Sequence, residues 1–511
     1  MRTFRGAWPL AGLTAGFAGL AASYFVAMAM AIRESPVVAV AELVIRLTPG
    51  PLAERAIQVL GHRDKPFLVT VILVVTAALF AYAGHLARRN RWAPTLVFGV
   101  LALAAGVAVL LQAASTPVDL LPVAAGLVVW LVCLPLLTDR LRRAETVAAA
   151  DEAAERDEHT RRGFLLRAGT VGALGVALAM AGRAVGSGRR HVEETRRLLK
   201  LSGVTSPRVP VRAVLDVKGI VPWMTPAEEF YRVHTAIVVP TIEPTAWNLR
   251  IHGMVEQEVR LTYESLLARE LTESWITLNC VSNPVGGPLI GNARWSGVRL
   301  ADLLAMAGVH PDADAVLQTS EDGWTCGTPL VALTDQRNSM LAVAMNGKPL
   351  PIDHGFPVRT IVPGLYGYVS ACKWVIDLEV TRFDRIDAYW TERGWSERGP
   401  VKLSSRIDVP ASGSEVPAGQ VRIGGVAWAQ HTGIEAVEVA FDGGDWLPAE
   451  ISSPPTNDTW VQWAATVSAS TGDHVVRVRA TDKAGRVQTG VERDVLPDGS
   501  TGWHAIQFSA A

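Results

Sequence analysis

The chain has 511 residues, too many for one hydrophobic core, so two or three folded units are expected. Its net charge of −1, with no basic stripe, gives no sign of a nucleic-acid partner, and none is expected; almost all of the apolar excess behind a mean hydropathy of +0.23 lies before residue 187. The four cysteines Cys133, Cys280, Cys326 and Cys372 form no CxxC pair, which speaks against a zinc or iron–sulfur site and against a disulfide framework.

Four apolar stretches, approximately 7–31, 66–87, 94–114 and 118–138, have spanning length, since about 20 residues cross the hydrocarbon core. The turn at Ser115-Thr-Pro117 joins the last two into a hairpin. A fifth stretch, 164–187, is weaker and rich in Gly and Ala. Eleven arginines (Arg2, Arg5, Arg88, Arg89, Arg91, Arg140, Arg142, Arg143, Arg156, Arg161 and Arg162) flank the spans on one side. Five cations (Arg33, Arg46, Arg55, Arg63 and Lys65) lie on the other, all in one longer loop. The positive-inside rule then leaves the amino terminus cytoplasmic and everything after residue 187 outside. His62, His85 and His159 lie at or beyond span ends and do not pair at membrane depth, so no haem is expected. No acidic residue sits deep in a span, which leaves an anchor or docking bundle.

Thr160-Arg-Arg-Gly-Phe-Leu-Leu166 resembles a twin-arginine export signal, the route for proteins exported already folded. The run Ala177-Leu-Ala-Met-Ala181 is compatible with cleavage, and a retained anchor is equally so.

After a charged, Pro-containing linker, short strands such as 247–252 alternate with short amphipathic helices such as 300–307. From about 401 the stretches 421–428, 435–441 and 474–480 alternate at period two between turn signals, the pattern of an immunoglobulin-like β-sandwich, with Pro410 and 411–413 marking its boundary. The expected organisation is a four-helix transmembrane region at 1–150, a cytoplasmic loop with the fifth helix at 151–190 and a linker at 191–215. An α+β domain at 216–400 and an all-β sandwich at 401–511 complete it.

Cys280 closes the strand-like run Ile276-Thr-Leu-Asn279 and opens onto the Gly/Pro-rich loop 284–291, where a cofactor can reach a thiol. This segment, with 344–354, 355–359 and 362–364, resembles the sulfite oxidase family of molybdopterin-dependent oxidoreductases over roughly residues 216–511. The resemblance implies a molybdenum–molybdopterin cofactor, with Cys280 as the metal thiolate. It implies that His354 and Arg359 hold the pterin and its phosphate, as a guanidinium fork suits. Phe230-Tyr231-Arg232-Val233-His234 resembles the element beside the pterin and the substrate oxyanion, and Ala371-Cys372-Lys373 a phosphate-side contact. Asp322 is a looser match to an acidic pterin ligand. Cys326 keeps a structural reading. The sandwich is the family's dimerisation domain, which implies a homodimer.

The chain departs from the family where substrate is chosen. The run after the metal cysteine is Ser282-Asn-Pro-Val285 and carries no cation, and Trp395 stands where the family has its active-site tyrosine. Arg232 is what survives of the cationic cluster. The leading expectation is therefore a membrane-anchored, extracytoplasmic oxygen-atom-transfer enzyme. Cys280, Arg232 and Trp395 line its reaction site, and a separate cytochrome or quinone carries its electrons. The alternatives are a reductase of sulfoxides, methionine sulfoxide or N-oxides and, from another class, a cofactor-free membrane receptor.

Overall fold

The computed structural model describes residues 6–30, 32, 35–49, 52, 55–56, 59–60, 63–112, 115–148, 154–186 and 188–511. Arg2, Arg5, Arg33 and His62 lie outside the described residues, as do the side chains of Arg140, Arg143, Arg156, His159 and Arg161. Two compact units are present. One comprises residues 1–193 with 236–240, the other 194–235 with 241–511.

The first unit is helical: α1 Ala7–Ala29, α2 Pro36–Leu47, α3 Asp64–Arg89, α4 Ala93–Leu110, α5 Leu121–Ala148, α6 Ala154–Val185 and, at its end, α7 Gly188–Leu198. Among the described residues five helices are long and apolar enough to cross a membrane, at the five stretches expected. Two segments read as connections are helical. α2, at 12 residues, is about 18 Å long and too short to span, so a search for spanning length passes over it. α7 occupies the charged segment expected to lead into the linker. In the bundle, a Cβ added at Gly84 would lie 2.1 Å from the Trp8 carbonyl oxygen. Small residues therefore let α1 and α3 touch through their backbones. Trp130 donates to the Gly16 carbonyl at 2.9 Å and stacks on Phe98 at 5.3 Å. His85 stands exposed near the end of α3.

The second unit holds four sheets. β1 Asn248–Gly253, β2 Val259–Thr262, β5 Ala315–Ser320, β6 Thr325–Pro329 and β10 Val375–Thr381 form one, in the order β2-β1-β10-β5-β6. β3 Thr272–Asn279, β4 Ile290–Arg299, β7 Met340–Met345 and β8 Lys348–Pro349 form another, with β9 Arg359–Ile361 paired to β7. Every residue of β7 is buried, the signature of a strand covered on both faces. Helix α8, Leu300–Ala307, buries Leu300, Leu303, Leu304 and Ala307, one stripe at helical spacing.

The carboxy-terminal strands are β11 Ser404–Val409, β12 Glu415–Val416, β13 Gly419–Trp428, β14 Ile434–Phe441, β15 Trp446–Pro448, β16 Glu450–Ile451, β17 Val461–Ala469, β18 Gly472–Asp482 and β19 His504–Ala510. They form the sheets β11-β13-β17-β16 and β12-β19-β18-β14-β15. Alternate residues of β18 (His474, Val476, Val478 and Ala480) are buried, so period two reports a half-buried strand as expected. The first strand of this region, β11, falls before Pro410 and within the expected 401–511 unit. β11 ends at Val409 and already pairs with β13, so Pro410 lies inside this region, between its first two strands. The segment before the first domain also joins it: Leu215 N–H donates to Gln462 Oε1 at 2.8 Å, and Trp223 and Trp460 exchange indole-to-carbonyl bonds at 3.2 and 3.0 Å.

Candidate active site

β3 ends at Asn279, so Cys280 is the first residue beyond its ladder. Its N–H still donates to the Leu289 carbonyl at 2.9 Å, and its own carbonyl accepts Asn283 N–H at 3.1 Å. That turn holds the thiol, which is 9% exposed. The Asn283 Oδ1 accepts Leu289 N–H at 2.9 Å and braces the loop. Gly286 has φ 76°, and a Cβ there would lie 2.2 Å from the His504 ring. Only glycine fits both the backbone and that neighbour.

A cationic cradle forms from three segments far apart in sequence. Arg359, 5% exposed, opens β9, and its guanidinium donates to the carbonyls of His354 at 3.1 Å and Ala371 at 3.5 Å. It lies over the Trp295 ring at 5.2 Å. Among the described residues Arg359 has no carboxylate partner, and burial pulls its pKa down to about 10. Backbone pairing of Arg359 with Lys373 brings in the third segment. Lys373 Nζ donates to His234 Nδ1 at 3.1 Å and to the Asp353 carbonyl at 3.1 Å. Arg232 meets Asp353 at 3.3 Å, with about half of its side chain exposed.

His354 is buried, and its Nε2 donates to the Ala227 carbonyl at 2.9 Å. Burial, reinforced by the charges of Arg359 and Lys373, pushes its pKa to about 3, so it is neutral and serves as a fixed donor. Phe230 packs edge-on against both Trp295 and His354 and stacks on Tyr231 at 5.2 Å. Burial, with the nearby Cys280 thiol, drives the Tyr231 phenol pKa far up, so it remains a neutral hydroxyl.

Phe230, Tyr231, Arg232, His234, His354, Arg359, Ala371 and Lys373 thus gather in one cradle. Val233 lies among them with its side chain exposed. Cys372 faces inward. Its N–H donates to Thr360 Oγ1 at 2.8 Å, and burial beside Cys326 raises its pKa well above the thiol norm. Asp322 caps its own turn, accepting Trp324 N–H at 3.2 Å, and among the described residues no hydrogen bond joins it to the cradle. Trp395 packs in an aromatic cluster with Tyr368 at 5.8 Å and Trp390 at 6.3 Å.

Sequence reading missed two groups. Below the cradle, Thr360 donates to Gln318 Oε1 at 2.6 Å and Gln318 Nε2 donates to Thr328 Oγ1 at 2.6 Å, all fully buried. Tyr366, buried beside Cys280, has its pKa pushed up to about 12 by burial. A buried phenol one residue before Gly367, in a Gly-rich run between Pro363 and Ala371, was the available signal.

A buried arginine answered by carbonyls and an aromatic face, with no carboxylate among the described residues, leaves an uncompensated charge, which is costly unless an anion completes it. The cradle therefore fits a phosphate-bearing cofactor, and the donor set (one thiol, two phenols, a neutral imidazole and two buried cations) fits a pterin with its phosphate near a thiolate-ligated metal.

A family profile described as the oxidoreductase molybdopterin binding domain matches residues 236–390. The chain is 34% identical over 175 residues to the uncharacterized oxidoreductase YuiH of Bacillus subtilis (strain 168), covering 34% of this chain and 85% of that protein. It is 28% identical over 337 residues to the sulfite oxidase of Gallus gallus, covering 55% and 72% respectively. Among solved structures, the sulfane dehydrogenase SoxCD of Paracoccus pantotrophus matches at 24% identity and a TM-score of 0.47, over 58% of this chain and 82% of that one.

Proposed function

The chain belongs to the sulfite oxidase family of molybdopterin-binding oxidoreductases, and from that premise we propose that it moves an oxygen atom to or from a small substrate at a metal bound through Cys280. The family's domain implies the molybdopterin cofactor. When bound, that group supplies two-electron redox chemistry at the metal. The observation that carries the reading is Arg359, a buried cation held by carbonyls and aimed at the cradle rather than at a carboxylate. In this reading Arg359 and Lys373 neutralise the cofactor phosphate, while His354 and His234 orient the pterin edge. Tyr231 shields the thiol from water, and Arg232 is the exposed cation on the substrate side.

The five apolar helices anchor the enzyme. Their arginine-rich flanks and the export-like Arg161-Arg162 pair support a cofactor domain outside the membrane. A separate cytochrome or quinone exchanges electrons with it. The carboxy-terminal pair of sheets serves as an immunoglobulin-like dimerisation domain. Family membership leaves the receptor alternative without support.

A second reading concerns direction. The loop after Cys280 offers Pro284 and Val285 where sulfite binding calls for cations, and Trp395 is sunk among aromatics. A dianion in a partly desolvated site needs several charged donors, each contributing about 1.5–3 kcal/mol. This composition favours a less charged substrate such as a sulfoxide or N-oxide. Metal analysis of full-length protein purified from its native membrane tests the main reading. Wild type is expected to carry molybdenum and Cys280→Ala to lose it; equal metal in both overturns the assignment. Fast sulfite oxidation with no sulfoxide reduction overturns the second reading alone.

A further inference from the structure

Cys280 is approached from the carboxy-terminal strands as well as from the cradle. A Cβ added at Gly367 would lie 3.9 Å from the Asn279 carbonyl oxygen and 3.8 Å from the Tyr231 hydroxyl, so the Tyr366–Gly367 step lies against the end of β3. The Tyr366 hydroxyl accepts Lys402 N–H at 3.3 Å. On its other side, a Cβ at Gly499 would lie 2.6 Å from that hydroxyl. Ser500 Oγ then donates to the Asn283 carbonyl at 2.7 Å, in the turn that carries Cys280. Residues 498–500 therefore form a strap from Tyr366 to the metal-cysteine turn.

Two cations on this strap side, Lys402 and Arg406, are cancelled locally. Lys402 Nζ donates to Asp498 Oδ1 at 2.7 Å and to the Gly499 carbonyl at 2.7 Å. Arg406 donates to Asp408 at 2.7 Å and to the Gly287 carbonyl at 2.9 Å. The two pairs differ in freedom. Arg406 and Asp408 side chains are 9% and 7% exposed, whereas Lys402 and Asp498 are 24% and 46% exposed. Of these two cations, Lys402 has the more solvent-accessible side chain and partner, and so it is the one placed to exchange its partner for an incoming anion. Such an anion must compete with a carboxylate already tethered at bonding distance.

Resting on the reading of Cys280 as the reaction centre, we propose that the Lys402–Asp498 pair sets the charge preference of the substrate pocket. Asp498 occupies the ammonium that would otherwise attract an oxyanion, and the strap wall is left neutral. Removing that one carboxylate turns the same wall into an anion site without altering its shape. Lys402 and Asp498 act here as specificity-determining residues; neither is placed on the cofactor.

The test is calorimetric titration of sulfate into the full-length, molybdenum-loaded protein, compared with Asp498→Asn and with Asp498→Asn/Lys402→Gln. Asp498→Asn is expected to bind sulfate at least tenfold more tightly than wild type, and the double variant to return to the wild-type value. Equal affinity in all three, or a gain that survives in the double variant, overturns the proposal. So does wild type binding sulfate as tightly as Asp498→Asn. The readout needs no turnover, so missing sulfoxide reductase activity would sink the second reading above while leaving this result standing.

Discussion

Arg359→Met separates the cost of the cradle from its use. Burial lowers the Arg359 pKa from 12.5 to about 10, equivalent to roughly 3 kcal/mol of unfavourable charge burial at about 1.4 kcal/mol per tenfold. The folded pKa is depressed but still far above neutral, so the guanidinium is protonated in folded and unfolded chains alike. The cost is therefore constant between pH 5 and 9. Methionine removes it but leaves the His354 and Ala371 carbonyls without their donor, at about 1 kcal/mol each. Cofactor-free Arg359→Met should therefore be more stable than cofactor-free wild type by about 1 kcal/mol. Loading should fail in the opposite sense. Two lost charge-assisted bonds to a phosphate, at about 1.5–3 kcal/mol each, cut affinity by a hundredfold or more. Thermal melting of protein from cells unable to make the cofactor, with elemental molybdenum on normally expressed protein, reads both signs. Cofactor-free Arg359→Met melting well below wild type, or full molybdenum in the variant, would refute the reasoning.

The remaining predictions concern pH and packing. His504 Nδ1 accepts Ile407 N–H at 2.9 Å, and burial with nearby Arg406 lowers its pKa to about 4. Its folded pKa lies below the unfolded value of 6.5, so stability is complete above pH 6.5 and falls as pH drops from there toward 4. At pH 5 the loss is about 2 kcal/mol, less the part screened by solvent at the ring edge. His504→Gln should flatten the melting curve between pH 8 and 5, and an unchanged acid slope would count against this account. In the helical unit, Gly84→Leu forces a side chain where a Cβ would lie 2.1 Å from the Trp8 carbonyl oxygen, whereas Gly99 has nothing within 4 Å. Gly84→Leu should destabilise the detergent-solubilised protein by about 2 kcal/mol or more and Gly99→Ala hardly at all. Equal melting temperatures for the two variants would contradict the close helix contact.

Features set by local chemistry were legible along the chain. The five apolar helices follow from uninterrupted hydrophobic length, because a span must satisfy its backbone within itself. The alternation in β18 and the stripe of α8 follow from periods of 2 and 3.6. Cys280 could be placed at a strand end because the apolar run stops there and turn residues follow. Proline marks a turn equally well inside a sheet region and at its edge, so Pro410 alone could not show that β11 precedes it. α2 was missed because nothing but packing holds so short a helix.

What the linear order left undecided was which groups answer one another. Arg359 is legible as a phosphate-seeking cation, but its burial and its carbonyl partners depend on β9 pairing with β7 and with Lys373. Asp322 and Arg232 look alike as isolated charges, yet one caps its own turn and the other meets the cradle. Lys402 and Asp498 are 96 residues apart, and no local pattern links them. Composition and periodicity act over a few residues, so they reached the spans, the strands and Cys280. Charge balance in a buried site is a property of distance in space, and only the folded chain brings Asp498 to Lys402 beside the Cys280 turn.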